Sequence, residues 1–302
     1  MRRTATLVRT FAPVAAALLA AGSAAEAQFT GYGLVNTAAG GQQLVRFGTQ
    51  APAGYTVLGA TGQTLTGIDF RPATGELYGT NGSAVFTLNL ATGAATQVGT
   101  GLGRTVSGNV AFDFNPTVDL IRLVGPDGTN LRVSPTTGGL RTVNGVPTPD
   151  NPYTFAAGGS PSFTAAAYTN SVAANFGGTT QLFGIDPTAG TLVLINNANG
   201  GTVTTVGDLG LGPNNGATGF DIVTVGSSNV GFFTVANALG SSLYRIDNFA
   251  APNATLVGSF GGAVNVQGIA IAAVPEPGTW ALMGTGLAGL AGVARRRRRA
   301  AV

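Results

Sequence analysis

TGIDFRPATGELYGT, residues 66–80, decides the fold, because its opening recurs along the chain. VAFDFNPTVDLIRLVG at 110–125 and TGFDIVTVG at 218–226 repeat its apolar–Asp–apolar centre, and FTAAAYTNS at 163–171 opens a related unit without the acid. Further short apolar runs follow each opening: VFTLNL (85–90) and TQVGT (96–100), then TNLRVSP (129–135) and LRTV (140–143). The third unit continues with TQLFGIDPTAG (180–190) and GTVTTVGDLG (201–210), the fourth with SLYRIDNFA (242–250) and ATLVGSF (254–260). GIAIAAV at 268–274 opens a fifth unit and stops. The pieces that would complete it lie at the other end of the chain: GYGLVNT (31–37), QLVRFGT (43–49) and TVLGA (56–60).

Three or four short strands recurring every ~44–54 residues have the period and content of propeller blades. An open β-sandwich or a β-solenoid would share the strand content. The split unit favours a closed ring, because joining the two chain ends in one blade leaves no free sheet edge. The expected fold is therefore all-β: a propeller-like ring of about five small blades closed by N- and C-terminal strands, followed by a C-terminal hydrophobic helix. Turn chemistry fits this register. Asp186-Pro187-Thr188-Ala189-Gly190 and Ser134-Pro135-Thr136-Thr137-Gly138 are Pro-initiated turns with a Gly exit, and Ala91-Thr92-Gly93 serves the same purpose. Tyr78, Phe86, Phe183 and Tyr244 are expected in the core.

The two ends read as addresses rather than fold. Arg2, Arg3 and Arg9 precede an uncharged apolar run from Phe11 to Ala21. At ~1.5 Å per residue that run reaches about 16 Å, half a bilayer core, which fits a signal peptide better than an anchor. Ala25 and Ala27 supply the small residues that signal peptidase reads, placing cleavage before Gln28 and making 1–27 the signal peptide. Arg2-Arg3 also permits twin-arginine export, though the surrounding motif is poor.

At the other end, 279–294 carries no charge and reaches about 24 Å as a helix, short of a full span but workable with snorkelling arginines. Arg295, Arg296, Arg297, Arg298 and Arg299 resist translocation and should stay cytoplasmic, which puts the body outside the inner membrane. A solvated basic tail or a nucleic-acid patch is the plainer reading of such a run; its position behind an apolar segment argues against both. Val274, Pro275, Glu276, Pro277 and Gly278, the apolar segment and the arginine cluster together resemble the PEP-CTERM sorting signal of Gram-negative bacteria. That resemblance makes 274–302 a sorting region and implies an exosortase partner that cleaves near the motif. It also implies a passing stay in the inner membrane, then residence in the periplasm, at the cell surface or in an extracellular matrix, in company with exopolysaccharide and biofilm loci.

The body, 28–273, resembles the exported bacterial domain of unknown function 4394. The residues that carry the likeness are Gly67 to Pro72, Leu77 to Gly79, Asp113 to Pro116, Asp119 to Arg122, Asn130 to Arg132, Ala167 to Asn170 and Gly219 to Ile222. It implies a propeller-like β fold over roughly 40–272 and supplies no activity.

Composition narrows the chemistry further. Residues 28–294 hold seven arginines against eleven acids, a balance of −4, so the basic pI belongs to the ends and nucleic acid is an unsuited partner. The chain has no histidine, cysteine or lysine. That removes the usual His-based triads, thiol chemistry, Schiff bases, P-loops, disulfides and ordinary zinc, haem or iron–sulfur sites. No cofactor and no catalytic residue is expected. Carboxylates stay available for calcium or for glycoside hydrolysis.

Two sets of polar residues stand out. Asp69, Asp113 and Asp221 occupy equivalent repeat positions, which favours a structural role, since an acid used once for catalysis has no reason to recur. Asp113, Asn115, Asp119, Arg122, Asn130 and Arg132 concentrate polarity within twenty residues. They could form a glycan site at a channel mouth through arginine forks and amides, or a buried Asp–Arg network joining blades. Asp119 and Asp127 give a weak calcium signal. The resulting expectation is a non-enzymatic, exosortase-processed envelope or matrix protein with a binding or scaffold domain and extracellular polysaccharide as a candidate partner. The alternative is a carboxylate-dependent polysaccharide-active enzyme resembling a glycoside hydrolase.

Overall fold

A computed structural model describes residues 29–273, so the expected signal peptide, the sorting motif, the expected C-terminal hydrophobic helix and the arginine cluster lie outside the described residues. Among the described residues no helix is long and apolar enough to cross a membrane.

The described chain is a five-bladed β-propeller. From the axis outward, blade 1 contains Val266–Ala273, Phe29–Asn36, Gln42–Gly48 and Ala51–Ala60. Blade 2 contains Gly67–Phe70, Leu77–Thr80, Val85–Leu88 and Ala95–Val98. Blade 3 contains Ala111–Asn115, Leu120–Val124 and Asn130–Val133. Blade 4 contains Ala165–Tyr168, Leu182–Asp186, Thr191–Asn197 and Thr202–Asp208, with Thr154–Phe155 added in parallel at its outer edge. Blade 5 contains Ala217–Val225, Ser228–Asn237, Gly240–Ile246 and Thr255–Ser259.

Blade 1 is the split unit anticipated from the repeats. The last strand of the body lies innermost, and Phe29 stands opposite Ala273 in the antiparallel ladder. The ring is thus closed by hydrogen bonds between the first and last described strands, which pair within one blade.

Five buried apolar clusters fill the spaces between adjoining blades. Phe112, Phe114 and Ile121 of blade 3 meet Tyr78 and Val85 of blade 2. Val266 and Ile269 of blade 1 meet Val223, Phe232 and Leu243 of blade 5. The alternation of each strand sends one set of side chains to each flanking cluster, which is why both blade faces are apolar. Tyr78, Phe86 and Phe183 are buried as expected. Tyr244 is half-buried and stacks on Phe233 with ring centroids 5.4 Å apart.

At the axis the five inner strands approach backbone to backbone. Gly67, Ala111, Ala165, Gly219 and Gly268 surround a void of about 10 Å³, room for about one water. A Cβ on Gly67 would lie 2.7 Å from Phe112 Cβ, so this position cannot gain a side chain without displacing the neighbouring strand.

Blade 3 departs from the sequence expectation. Leu140 contributes only a single bridge to Val133, and Thr142–Val143 pairs instead with Val146–Pro147. The cause is the Asn144-Gly145 turn, with φ of 52° and 79°, which folds the segment back on itself as a two-residue hairpin.

Candidate functional site

The inner strands carry an acid in three of the five blades. Asp69, Asp113 and Asp221 are all buried, and one oxygen from each lies within 4.8 Å of the others. Each carboxylate accepts a backbone N–H from the next inner strand around the ring. Asp69 Oδ2 accepts from Phe114 at 2.7 Å, Asp113 Oδ1 from Tyr168 at 2.9 Å, and Asp221 Oδ2 from Ile271. Asp69 Oδ1 also accepts the N–H of Phe70 at 2.7 Å. The same bonding pattern places Ala167 in blade 4 and Ala270 in blade 1 at the corresponding positions, so two of the five blades lack the acid.

Gathering three carboxylates in a dry site disfavours their charged forms. Burial, followed by the charge of Asp221, lifts Asp69 well above the usual carboxylate range, against the pull of the Phe114 and Phe70 amides. Burial, then Asp69 and Asp221, does the same to Asp113. Burial pushes Asp221 up to about 6 despite the Ile271 and Ile222 amides. Three carboxylate oxygens so placed are also the donor type that hard cations accept. Asp69 and Asp221 line a cavity of about 250 Å³ at one mouth of the channel, walled by Phe70, Val172, Ile222, Val223 and Ala272 and bordered by Arg71.

The polar cluster around 113–132 divides among three places. Asp113 belongs to the axial trio. Asn115 Oδ1 accepts from the N–H and hydroxyl of Thr117, closing the hairpin turn of blade 3. Asp119, with φ of 52°, ends that turn and takes a two-point bond from Arg71 of blade 2. Asp127 accepts the Thr129 N–H at 3.0 Å in an exposed turn.

Arg122, Asn130 and Arg132 form the third group. Arg122 is buried and donates to Asp150 (2.7 Å), Asn130 (2.8 Å), Asn199 (2.7 Å) and the Tyr168 hydroxyl (3.2 Å). Arg132 makes two bonds to Asp150, at 2.7 and 2.6 Å. Asn130 donates to the carbonyls of Asn151 and Ala198. The network thus joins blade 3, the segment after it and the outer turn of blade 4. Burial works against the Arg122 charge, and Tyr168, Tyr153 and Asp150 outweigh it, holding the guanidinium above its ordinary range. The Tyr153 hydroxyl lies buried without a hydrogen-bond partner, and burial raises its pKa.

Sequence reading missed Asp150, the acid that serves both arginines, together with Asn199 and Arg71. Asp150 carried one usable signal: it is the only acid between Asp127 and Asp186. Tyr168 joins the two groups, since its N–H meets Asp113 and its hydroxyl meets Arg122. A separate groove of about 560 Å³ on the outer strands is lined by Thr49, Gln50, Arg245, Asp247 and Thr255.

A family model described as a domain of unknown function, DUF4394, matches residues 43–270. A second, the PEP-CTERM protein-sorting motif, matches residues 273–299. No curated protein matches the chain. Among solved structures, BBS1N in complex with ARL6DN, soaked with mercury, is similar at 11% identity over 75% of this chain and 76% of that chain, with a TM-score of 0.35. YCF48 from Cyanidioschyzon merolae is similar at 11% identity over 75% of each chain, with a TM-score of 0.36. Neither likeness is close enough to bear on function.

Proposed function

Because the chain belongs to the DUF4394 family and ends in a PEP-CTERM protein-sorting motif, we propose that it is a non-enzymatic envelope or biofilm-matrix protein of a Gram-negative bacterium. In this reading, 1–27 is removed by signal peptidase and 279–294 enters the inner membrane. Exosortase then cleaves near Pro275-Glu276-Pro277, and the ring is delivered outside the cell, where it serves as a scaffold or binds extracellular polysaccharide.

One observation carries this reading. The sorting motif begins where the fold ends: Ala273 closes the last strand of the ring, and the motif match runs from 273. Processing there would remove nothing that holds the blades together. The state of the acids supports a non-catalytic body. The axial trio is engaged by amides, and Asp119 and Asp150 by arginines. The outer groove with its hydroxyl, amide and charged groups is suited to sugar hydroxyls.

The enzyme reading has one observation in its favour, the raised carboxylates Asp69 and Asp221 on the wall of an open cavity. Two assays separate the readings. Co-expression with exosortase should yield an exported product lacking the tail, while an Ala replacement of Pro275, Glu276 and Pro277 should leave the tail attached. A full chain found intact in the cytosol would end the export reading. Incubation of the processed protein with matrix polysaccharides should retain glycan without releasing reducing ends; release that is lost in Asp69→Asn would establish the enzyme instead.

A further inference from the structure

We propose that the channel-mouth end of the propeller is a lipid-docking face that lies on the membrane surface while the precursor is anchored. The proposal rests on the reading that 279–294 enters the membrane, and goes beyond it by assigning a face and an orientation.

The chain leaves the fold at this end. The inner strand of blade 1 runs toward the cavity mouth, where Ile271 and Ala272 line the wall. Only Val274 to Gly278, five residues, separate it from the uncharged segment. At about 3.5 Å per residue they span at most about 17 Å. The exit end is thus held against the bilayer, and tethering at that distance gives even a weak face–lipid contact a high effective concentration.

The same end presents an apolar rim. The turns joining the first two strands of blades 3, 4 and 5 carry Val118, Val172, Phe176 and Val225, exposed by 49%, 38%, 70% and 37%. These turns are tied to one another. The Gly177 N–H donates to Thr117 O at 2.8 Å, bringing the loop of Phe176 to the turn of Val118. Asn170 bonds Asn229 through both backbone and side chain, and the Ser171 N–H meets Thr224, fixing the same loop to the turn of Val225. Asn175 holds the loop from within through Asn170 and Thr179. Phe176 is therefore displayed on a braced loop, so its insertion costs little ordering entropy. On the blade 2 and blade 3 turns of this end Arg71 and Asp119 neutralise each other, so a single exposed charge, Glu76, stands against lipid there.

Because the chain contains no cysteine, single labelling sites can be added cleanly. Ala174→Cys, beside Phe176, and Ala238→Cys, at the far end of blade 5, are both exposed positions. The full chain carrying an NBD label at either site is reconstituted into phosphatidylethanolamine–phosphatidylglycerol vesicles with and without doxyl lipids. Flotation reports anchoring, and quenching reports docking. The expected result is co-flotation of both proteins, with quenching at position 174 at least twofold above that at 238 and the excess lost in Phe176→Asp. Co-flotation with equal quenching would overturn the docking face while leaving the anchor intact. Loss of flotation would remove the anchoring reading and the face with it. A blue shift at 174 that grows with protein concentration in detergent alone would assign the face to a second copy and overturn the lipid assignment.

Discussion

The Asp69 carboxylate on one inner strand accepts the Phe114 N–H of the next at 2.7 Å, so that a side chain completes a backbone ladder between blades. The bond repeats from Asp113 to Tyr168 and from Asp221 to Ile271. A buried amide must be satisfied, and a carboxylate satisfies it strongly, at the cost of crowding three acids at the axis.

That crowding sets a pH dependence. A carboxylate whose folded pKa is raised binds its proton more tightly in the folded state. Its contribution is present below the unfolded value near 3.8 and is lost as pH rises through the folded value, about 6 for Asp221. Stability should fall as pH rises from about 4 through about 6 on account of Asp221, and the raised Asp69 and Asp113 add to the fall in the same direction. Asp221→Asn keeps an oxygen for the Ile271 N–H and removes the charge. It should stabilise the ring at pH 8 by on the order of 1–3 kcal/mol and shrink the slope. Urea melts at pH 4, 6 and 8 check this; a variant as unstable at pH 8 as Asp221→Ala would refute it.

The second prediction contrasts two ion pairs. Asp150 bonds Arg122, which is 3% exposed, and Arg132 as well. Asp150→Ala strands a buried guanidinium and should cost about 3–5 kcal/mol. Asp247 pairs with Arg245 at the surface, and Asp247→Ala should cost no more than about 1 kcal/mol. Chemical denaturation of both variants measures the difference, and equal losses would show that the Arg122 network does not lock the blades.

Gly67 supplies the third. Its absent side chain lets the inner strands of blades 2 and 3 meet, with Phe112 Cβ only 2.7 Å from where a Cβ would stand. Gly67→Val should therefore destabilise by about 1–3 kcal/mol or more, as overpacking does. Gly75→Ala faces open space, so its cost should come only from its φ of 73°. Thermal melts of the two variants separate crowding from backbone strain.

The ring was legible because the unit at 66–80 repeats and because its last copy is incomplete. Equivalent positions of Asp69, Asp113 and Asp221 also pointed to a structural acid. Their convergence at one axis was not legible, since strand alternation fixes a face but not how closely five strands approach. The cluster from Asp113 to Arg132 misled in a different way. Asp113 and Arg122 are ladder partners, yet their charged groups reach Tyr168 N–H and Asp150 respectively, because the nearest partners come from other blades. Asp150 lies outside the repeated strands, where no period marks it. The Asn144-Gly145 dipeptide is a hairpin signal in its own right, and it outweighs the apolar run at 140–143 that would otherwise extend the blade.

Closure by the chain ends gives the last prediction. Phe29 faces Ala273 across the ladder, and Val266, Ile269 and Ile271 from the same strand enter the cluster between blades 1 and 5. A chain ending at residue 265 loses those three buried side chains, at about 1.5–3 kcal/mol each, and the amide that Asp221 accepts. The sum is comparable with the whole stability of a domain, about 5–15 kcal/mol, so this chain should melt without cooperativity and expose apolar surface to a hydrophobic dye. A chain ending at residue 277 keeps every described strand and should melt within about 2 °C of the full protein, since a change well below 1 kcal/mol shifts a domain of this size by no more. Circular dichroism and dye binding on the two truncations test this. A cooperative transition in the shorter chain would mean that the blades stand without the closing strand.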